Sequence, residues 1–344
     1  MSKVANTAKP LFIAEISANH LGSFERAKDL VMAAANSGAG AIKFQTYTAE
    51  TMTLDIDSEG FSISKDHPLW GGRKLFDLYA EAHTPWEWHE ELFKLCKDLG
   101  TIPFSSPFDL TAVDFLESLN IPMYKVSSME TSDLELIAEI GKTGKPTIIS
   151  TGATYLEEID DAVNCFLSTG NKSLTLLVCT SAYPANPADA NLARIGFLRE
   201  RYGLEVGLSD HTLGIGTSVA AIALGATAIE KHFILDRNDG GPDAQFSMEP
   251  VEFKQLVLEG NRAHISIGSE VWNLANDEKE SRRIRRSLYI SKDVQKGDTV
   301  SKINVRAIRP GFGMSPKFFD SIIGKKFIMN LKAGTPVSDE ILEN

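Results

Sequence analysis

Eight short runs of apolar and β-branched residues, separated by stretches of helical character, set the strongest limit on how this chain can fold. Strands that read as continuous apolar runs and alternate with helices indicate parallel pairing with both faces of the sheet covered. Eight such units predict an α/β fold of the (β/α)8 TIM barrel type, and a doubly wound open sheet is the alternative. The runs are LFIAEIS from Leu11, AIKFQT from Ala41, IPFSS from Ile102, YKVSS from Tyr124, PTIIST from Pro146, LTLLVCT from Leu174, EVGLSDHT from Glu205 and AIEKHFI from Ala228.

The stretches between the strands carry helix signals, and one of them is unusually long. In SFERAKDLVMAAANSG, Ser23 can cap a helix and Gly38 can end it. The second strand begins at residue 41 but the third only at residue 102. We predict an insertion from Tyr47 to about Pro85 that shapes a substrate pocket, because long loops at the carboxyl ends of barrel strands commonly do so. Packing on the barrel rim is the alternative for its aromatic residues, among them Phe61, Trp70, Tyr79 and Trp86.

The character of the sequence changes after the eighth strand. GGPDAQFSMEP leads into a helix predicted to begin near Pro250, and residues 276–286 (NDEKESRRIRR) are almost entirely charged. From Ser287 the apolar runs are short and the turns frequent, which is typical of a small β-rich domain. The predicted organisation is a barrel domain over residues 1–275, a charged linker over 276–286 and a β-rich domain over 287–344.

Composition excludes several classes of protein. The chain has 344 residues and a net charge of −11, which argues against nucleic acid or an anionic membrane as a partner. No apolar run approaches the roughly 18 residues of a membrane span, and residues 1–10 lack an apolar signal core. Cys96, Cys165 and Cys179 have no CxxC spacing, so neither a disulfide framework nor a structural zinc site is predicted. These features predict a cytoplasmic protein, in which any anionic substrate needs a local basic site.

Polar side chains close each predicted strand, and in a barrel these strand ends meet at one mouth. Lysine within an apolar strand is costly to bury unless it meets an anion, so Lys43 and Lys125 predict a bound phosphate plus carboxylate. Internal Lys–Glu pairs, or a Schiff base between a lysine and a carbonyl substrate, are the alternatives. The strand-end residues are Glu15, Asn19, His20, Lys43, Gln45, Ser105, Ser106, Lys125, Ser127, Ser128, Glu130, Ser150, Thr151, Thr180, Ser181, Tyr183, Ser209, His211, Glu230 and His232.

Two of the strand ends carry a histidine, His211 in SDHT and His232 in EKHF. If these strands are neighbours, the two imidazoles converge, and neutral imidazoles aimed at one point are ordinary ligands for a divalent ion. Two histidines leave coordination positions for water or substrate oxygens, as a catalytic ion requires. The alternative is that each is a core histidine with a satisfied hydrogen bond.

The strand ends also form a pattern of known motifs. IAEISANH, AIKFQTY, PFSSPFD, YKVSSME, IISTGA, CTSAYPA, GLSDHT, EKHF and GGPDAQFSM, in this order, resemble the sialic acid synthase family. The tail, SLYISKDVQKGDTVSKINVRAIRPGFG, looks like that family's antifreeze-like (SAF) domain. The resemblance implies a transferase that joins phosphoenolpyruvate to the open-chain aldehyde of an N-acetylated amino sugar, giving phosphate and a nine-carbon 2-keto acid. It also implies a divalent metal, Mn or Mg, held by His211 and His232.

The resemblance, taken with the strand ends, gives the predicted site residues their roles. The predicted catalytic residues are Lys125, His211, His232 and Glu15, which is expected to deprotonate water. In the family the small domain reaches across a dimer to cap the partner's barrel, so the resemblance implies a domain-swapped homodimer. The predicted substrate-binding residues are Lys43, Gln45, Ser106, Ser128, Glu130, Ser150, Ser181, Tyr183, Ser209, Asp243 and Arg309.

Several segments favour one branch of the family. The chain has Ser181 where the N-acetylneuraminate synthase pattern has Asn, and SANH where that pattern has a VNH-like ending. ISANH, LWGG at 69–72 and YAEAHTPWEWH at 79–89 look like the pseudaminic acid synthase branch, whose acceptor is 2,4-diacetamido-2,4,6-trideoxy-L-altrose. An aromatic-rich insertion suits an acceptor that lacks the 6-hydroxyl. An N-acetylneuraminate or legionaminate synthase is the alternative. A noncatalytic sugar-binding protein is an alternative of another class. The residues argue against it, because binding alone does not require a metal, an acid and two strand lysines together.

Overall fold

The first part of the chain is a closed barrel. The structure, a computed structural model, describes residues 9–66 and 70–343, and the chain divides into two compact units, Met1–Gly268 and Ser269–Asn344. Eight parallel strands close the first unit in chain order, which confirms the TIM barrel and excludes the open sheet. The strands are β1 Leu11–Glu15, β2 Ala41–Thr46, β3 Ile102–Pro107, β4 Tyr124–Val126, β5 Thr147–Ser150, β6 Leu174–Cys179, β7 Glu205–Ser209 and β8 Ala228–His232.

Helices alternate with the strands, and the first shows how the sequence signals act. The Ser23 hydroxyl accepts a hydrogen bond from the backbone N–H of Arg26, and Gly38, with a φ of 93°, follows the helix end. Leu30 and Val31 are fully buried on its inner face. The helices of this unit are α1 Phe24–Asn36, α2 Ala49–Met52, α3 Leu75–Ala82, α4 His89–Asp98, α5 Leu110–Ser118, α6 Leu134–Lys142, α7 Leu156–Ser168, α8 Ala193–Tyr202, α9 Gly216–Ala223 and α10 Pro250–Ser266.

The long connection between β2 and β3 holds α2, α3 and α4. Aromatic contacts attach it to the barrel, because Trp86 stacks on Phe115 of α5 with ring centroids 4.7 Å apart and Tyr47 meets Phe108, directly after β3, edge-on at 5.1 Å. Leu69 of the LWGG segment lies outside the described residues. The connection therefore packs on the barrel through some of its aromatic residues, and others line the cavity described below.

The strand register brings charged residues together at the carboxyl ends. β1 lies between β2 and β8, so its last residue, Glu15, is opposite Lys43 on one side and His232 on the other. Ser209 of β7 is likewise opposite Glu230 of β8. Because parallel strands of a barrel end at the same mouth, the sequence-distant groups of β1, β2, β7 and β8 share one site.

The second unit is small and has its own apolar core, which includes Leu288, Val300 and Phe327. The charged segment 276–286, predicted as a linker, belongs to this unit. Nowhere in residues 9–66 and 70–343 is a helix long and apolar enough to cross a membrane. The elements of the unit are α11 Asn276–Ser281, the antiparallel strands β9 Ser287–Ile290 and β10 Val305–Ile308, and α12 Phe319–Ile322.

Candidate active site

A cavity of about 470 Å³ opens at the carboxyl ends of the barrel strands, a size typical of sites for small molecules. Its walls come from residues far apart in the sequence, which the closed barrel collects at one mouth. The predicted site residues that line it are Lys43, Gln45, Lys125, Ser128, Glu130, Ser150, Tyr183, Ser209, His211, His232 and Asp243.

Lys43 lies between two buried carboxylates. Its Nζ is 3.2 Å from Glu15 Oε2 and 3.2 Å from Glu230 Oε1, and Ser209 also donates to Glu230 Oε1 at 2.9 Å. Burial raises the pKa of Glu15 against the opposing charge of Lys43. Burial acts on Glu230 too, but Lys43 and Lys125 together hold its pKa low. The Lys–Glu pairing considered as an alternative is therefore present at Lys43.

Lys125 is in a different environment. Its side chain is 1% exposed, and its ammonium donates to Ser150 Oγ at 2.6 Å and to the carbonyl of Val126 at 2.9 Å. Within the described ranges Lys125 forms no ion pair, and burial lowers its pKa to about 8. A buried cation without a carboxylate partner is what a site for an anionic ligand provides.

Hydroxyl groups surround Gly152 close to Ser150. The N–H of Gly152 donates to Ser128 Oγ at 3.0 Å. A Cβ at position 152 would lie 2.3 Å from Ser181 Oγ and 2.8 Å from Ser128 Oγ, so only glycine leaves this space free. Together with Lys125, these donors are suited to the oxygens of a phosphate group.

A hydrogen-bonded chain crosses the opposite part of the cavity. Ser17 donates to Asp243 Oδ2 and accepts from Gln45 Nε2 at 3.1 Å. The same Gln45 amide donates to Glu15 Oε1 at 2.8 Å. Sequence reasoning missed Ser17, although the ISANH segment that favoured one branch of the family contains it. The chain links the carboxylate of Asp243 to that of Glu15.

The two histidines face one another in the cavity, with ring centroids 5.3 Å apart. His211 Nδ1 lies 3.0 Å from the carbonyl of Thr180, which can only accept, so Nδ1 carries the proton and Nε2 has a free lone pair. His232 Nδ1 is buried without a hydrogen-bond partner in the described residues, and burial lowers the pKa of His232 well below its usual range. These two nitrogens, His211 Nε2 and His232 Nδ1, are of the type that binds a divalent ion.

The histidine pair is not part of a larger ligand cluster in the described residues. Among the described residues, no group of three or more His, Cys, Asp and Glu side chains could hold a metal ion. The nearest carboxylate oxygen to His232 Nδ1 that makes a charged contact is Asp243 Oδ2, at 3.8 Å. An open site, in which water or substrate oxygens fill the remaining positions, stays a prediction.

One wall of the cavity is apolar, and most of it comes from the insertion. Trp70 joins this wall to the opposite side, since its Nε1 donates to the carbonyl of Pro242 and its ring lies 6.1 Å from that of Tyr183. Sequence reasoning named the segment but not the aliphatic residues in it. The apolar lining residues include Tyr47, Met52, Ile63, Leu75, Leu78, Tyr79, Ala82 and Phe108.

Four predicted site residues are not among those that line the cavity. Glu15 is fully buried beneath Lys43 and Gln45. Ser106 is 1% exposed, and its hydroxyl has no partner in the described residues. Ser181 lies behind Gly152, 3.9 Å from Cys179 Sγ. Arg309 follows β10 in the second unit, where it is exposed.

Comparison with known proteins identifies the family. The profile of the NeuB family matches residues 30–271, and the profile of the SAF domain matches residues 285–343. The chain belongs to the NeuB family. This NeuB-family protein therefore carries, after its barrel, the small domain that the tail motif predicted.

Relatives of this NeuB-family protein include a pseudaminic acid synthase and an N,N'-diacetyllegionaminic acid synthase. It is 43% identical over 330 residues to the pseudaminic acid synthase of Campylobacter jejuni, covering 96% of each chain. It is 36% identical over 331 residues to the N,N'-diacetyllegionaminic acid synthase of the same species, covering 94% of this chain and 97% of that one. The crystal structure of N-acetylneuraminic acid synthetase from Leptospira borgpetersenii superposes with a TM-score of 0.71 at 30% identity, over 79% of this chain and 90% of that chain.

Proposed function

We propose that this enzyme is a pseudaminic acid synthase, which joins phosphoenolpyruvate to 2,4-diacetamido-2,4,6-trideoxy-L-altrose and releases phosphate. The observation that carries the proposal is Lys125, a buried ammonium whose hydrogen-bond partners among the described residues are a hydroxyl and a carbonyl, on the same cavity as the histidine pair. The 43% identity to a pseudaminic acid synthase over nearly the whole chain supports the same reaction.

The charges in the cavity suggest where phosphoenolpyruvate binds. Lys43 is already neutralised by Glu15 and Glu230, so it offers little net attraction to an anion. Lys125 has no such partner in the described part of the chain, and Ser128 lies close to it across Gly152 and Ser150. The phosphate is therefore proposed to bind at Lys125.

The sugar aldehyde is proposed to lie at His211 and His232. A bound Mn²⁺ or Mg²⁺ would supply Lewis acidity there. Attack of the enol carbon on the aldehyde carbon leaves positive charge at carbon 2 of the phosphoenolpyruvate unit, where water adds. We assign the proton of that water to Glu15, whose Oε2 is buried with Lys43 Nζ 3.2 Å away as its ion-pair partner and whose pKa burial raises to about 7. The adduct then breaks its carbon–oxygen bond to phosphate.

The apolar wall supports the 6-deoxy acceptor. A hydroxyl placed against Ile63, Leu75 and Leu78 would lose hydrogen bonds to water without a replacement, whereas a methyl group would gain apolar contact. An N-acetylneuraminate or legionaminate synthase is the competing assignment, and the 36% identity to a legionaminic acid synthase is its support.

Phosphate release from phosphoenolpyruvate tests the proposal. The enzyme is supplied with Mn²⁺ and either the diacetamido altrose sugar or N-acetylmannosamine, with and without chelator. We expect release with the altrose sugar that is lost on chelation and lost in Lys125→Met. Faster release with N-acetylmannosamine would keep the reaction and overturn the acceptor. No release with either sugar would overturn the proposal.

A domain-swapped homodimer is part of the proposal. Its support is the SAF-domain match and Arg309, an exposed arginine that forms no ion pair within the described ranges. If Arg309 acts on the partner's site, mixing Arg309→Ala chains with His211→Ala chains restores one working site per mixed dimer. Mixed samples that stay inactive would show that Arg309 acts within its own chain or not at all.

A further inference from the structure

We propose that Ser17 is a positioning residue, which sets the orientation of Asp243 and Gln45 and through Gln45 that of Glu15. This inference rests on the proposed function, since Glu15 is assigned there to the water and Asp243, a predicted substrate-binding residue, lies 3.8 Å from His232 at the proposed aldehyde site. No motif for chemistry marks Ser17 in the sequence. Its role follows from its backbone conformation and from the two hydrogen bonds of its hydroxyl.

The backbone of Ser17 is in the left-handed region, with a φ of 45°. A side chain at such an angle is unfavourable because Cβ crowds the neighbouring carbonyl, and glycine would avoid this crowding. Ser17 is also 5% exposed, two residues after the end of β1. A strained residue of this kind persists where the surrounding structure requires its side chain, and such residues concentrate at functional sites.

The hydroxyl of Ser17 joins two groups that otherwise would not meet. It has one proton, which it donates to Asp243 Oδ2. Its oxygen can then accept from Gln45 Nε2, at 3.1 Å. This arrangement directs the NH₂ end of the Gln45 amide toward Ser17, and the same NH₂ group then reaches Glu15 Oε1 at 2.8 Å. Reversal of the amide would place its oxygen against the carboxylate of Glu15.

Asp243 depends on Ser17 more than on any other side chain described. Its remaining contact to the same oxygen is the backbone N–H of Ala18, at 3.4 Å, and His232 Nδ1 lies 3.8 Å away. Without the Ser17 hydroxyl, neither contact is short enough to hold the carboxylate. Loss of the hydroxyl should therefore disorder Asp243 and Gln45 together while leaving Lys125 and its serine partners in place.

Two substitutions separate the hydroxyl from the backbone strain. Ser17→Ala removes the hydroxyl and keeps Cβ in the strained conformation, whereas Ser17→Gly removes both. The matched control is Ser218→Ala, because Ser218 is a fully buried serine that donates to Asp210 Oδ2 at 2.6 Å outside the cavity lining. Asp210 keeps its contacts to Lys231 and to the N–H of Thr212, so it stays in position.

The measurements are steady-state phosphate release with each substrate varied in turn, and thermal unfolding. We expect kcat/KM for the sugar to fall about 10- to 100-fold in both Ser17 variants, as for loss of a hydrogen bond to a charged group. KM for phosphoenolpyruvate should stay within about threefold. Ser17→Gly should melt about 2–4 °C above Ser17→Ala, because glycine accepts the left-handed backbone. Ser218→Ala should lower only the melting temperature.

Each other outcome has a defined meaning. Wild-type kcat/KM in Ser17→Gly would overturn the positioning role. An equal rise in KM for both substrates in the Ser17 variants would reduce Ser17 to a structural residue. If Ser17→Ala does not fold, the glycine variant still decides, because it relieves the strain. Absence of phosphate release from the unaltered enzyme would instead overturn the proposed function, and the two failures are thus distinguishable.

Discussion

The two buried lysines of the cavity should respond in opposite ways to the same substitution. Lys43→Met leaves Glu15 and Glu230, each 3.2 Å from the ammonium, without a counter-charge. Removal of one partner from a buried ion pair costs about 3–5 kcal/mol. The loss should shrink toward about pH 5, because without Lys43 the pKa of Glu15, which burial already raises, lies further above that of the unfolded chain and protonation favours the folded state.

Lys125→Met removes a buried ammonium that has no carboxylate partner in residues 9–66 and 70–343. Burial lowers the pKa of Lys125 from 10.5 to about 8, which corresponds to roughly 3 kcal/mol against the charged form at neutral pH. Methionine has a similar length and no charge, but it leaves Ser150 without its partner, at a cost of about 1 kcal/mol. The free energy of unfolding should therefore rise by about 2 kcal/mol.

Urea unfolding of the ligand-free protein, followed by tryptophan fluorescence, measures both changes. The exposed control is Lys142→Met, whose ion pair with Glu139 is solvated, so its loss should change the free energy of unfolding little. Both cavity variants should lose phosphate release. Equal losses of stability at Lys43 and Lys125, or a larger loss at Lys125, would refute the assignment of Lys43 as the structural cation and Lys125 as the substrate cation.

Four further predictions concern the reaction. The value of kcat/KM for phosphoenolpyruvate should fall as pH rises through about 8, because Lys125 loses its proton; a flat profile to about pH 10 would contradict this. Chelation should abolish phosphate release, and added Mn²⁺ should restore it except in His211→Ala. Gly152→Ala should raise KM for phosphoenolpyruvate about 10-fold or more, because the new Cβ would meet Ser128; an unchanged KM would move the phosphate elsewhere. Leu78→Asn should lower the kcat/KM preference for the 6-deoxy sugar about 10-fold, measured against N-acetylmannosamine.

The barrel was predictable because each strand is a mostly apolar run with polar residues at or near its end. Such runs specify parallel strands without any knowledge of register, and the order along the chain then specifies the barrel. Lys43 and Lys125 were recognisable for a similar reason, since an ammonium within an apolar run must have a partner. The predicted domain boundary at residue 275 stays a prediction.

The differences between similar residues were not predictable. Lys43 and Lys125 look alike in the sequence, but closure of β1 against β8 gives two carboxylates to Lys43 and none to Lys125 in the described residues. The neighbouring serines 105 and 106 also differ in their surroundings, because alternate residues of a strand point to opposite faces. The positive φ of Ser17 arises from how β1 leaves the barrel, and no local pattern marks it.

A competition between acceptors tests the central claim most directly. The enzyme, with Mn²⁺ and phosphoenolpyruvate, is given equal concentrations of 2,4-diacetamido-2,4,6-trideoxy-L-altrose and N-acetylmannosamine, and the nine-carbon products are separated by mass. The product ratio equals the ratio of the two kcat/KM values. The account predicts that pseudaminic acid is in large excess. An excess of N-acetylneuraminic acid, or the absence of both products while phosphoenolpyruvate is unchanged, would contradict it.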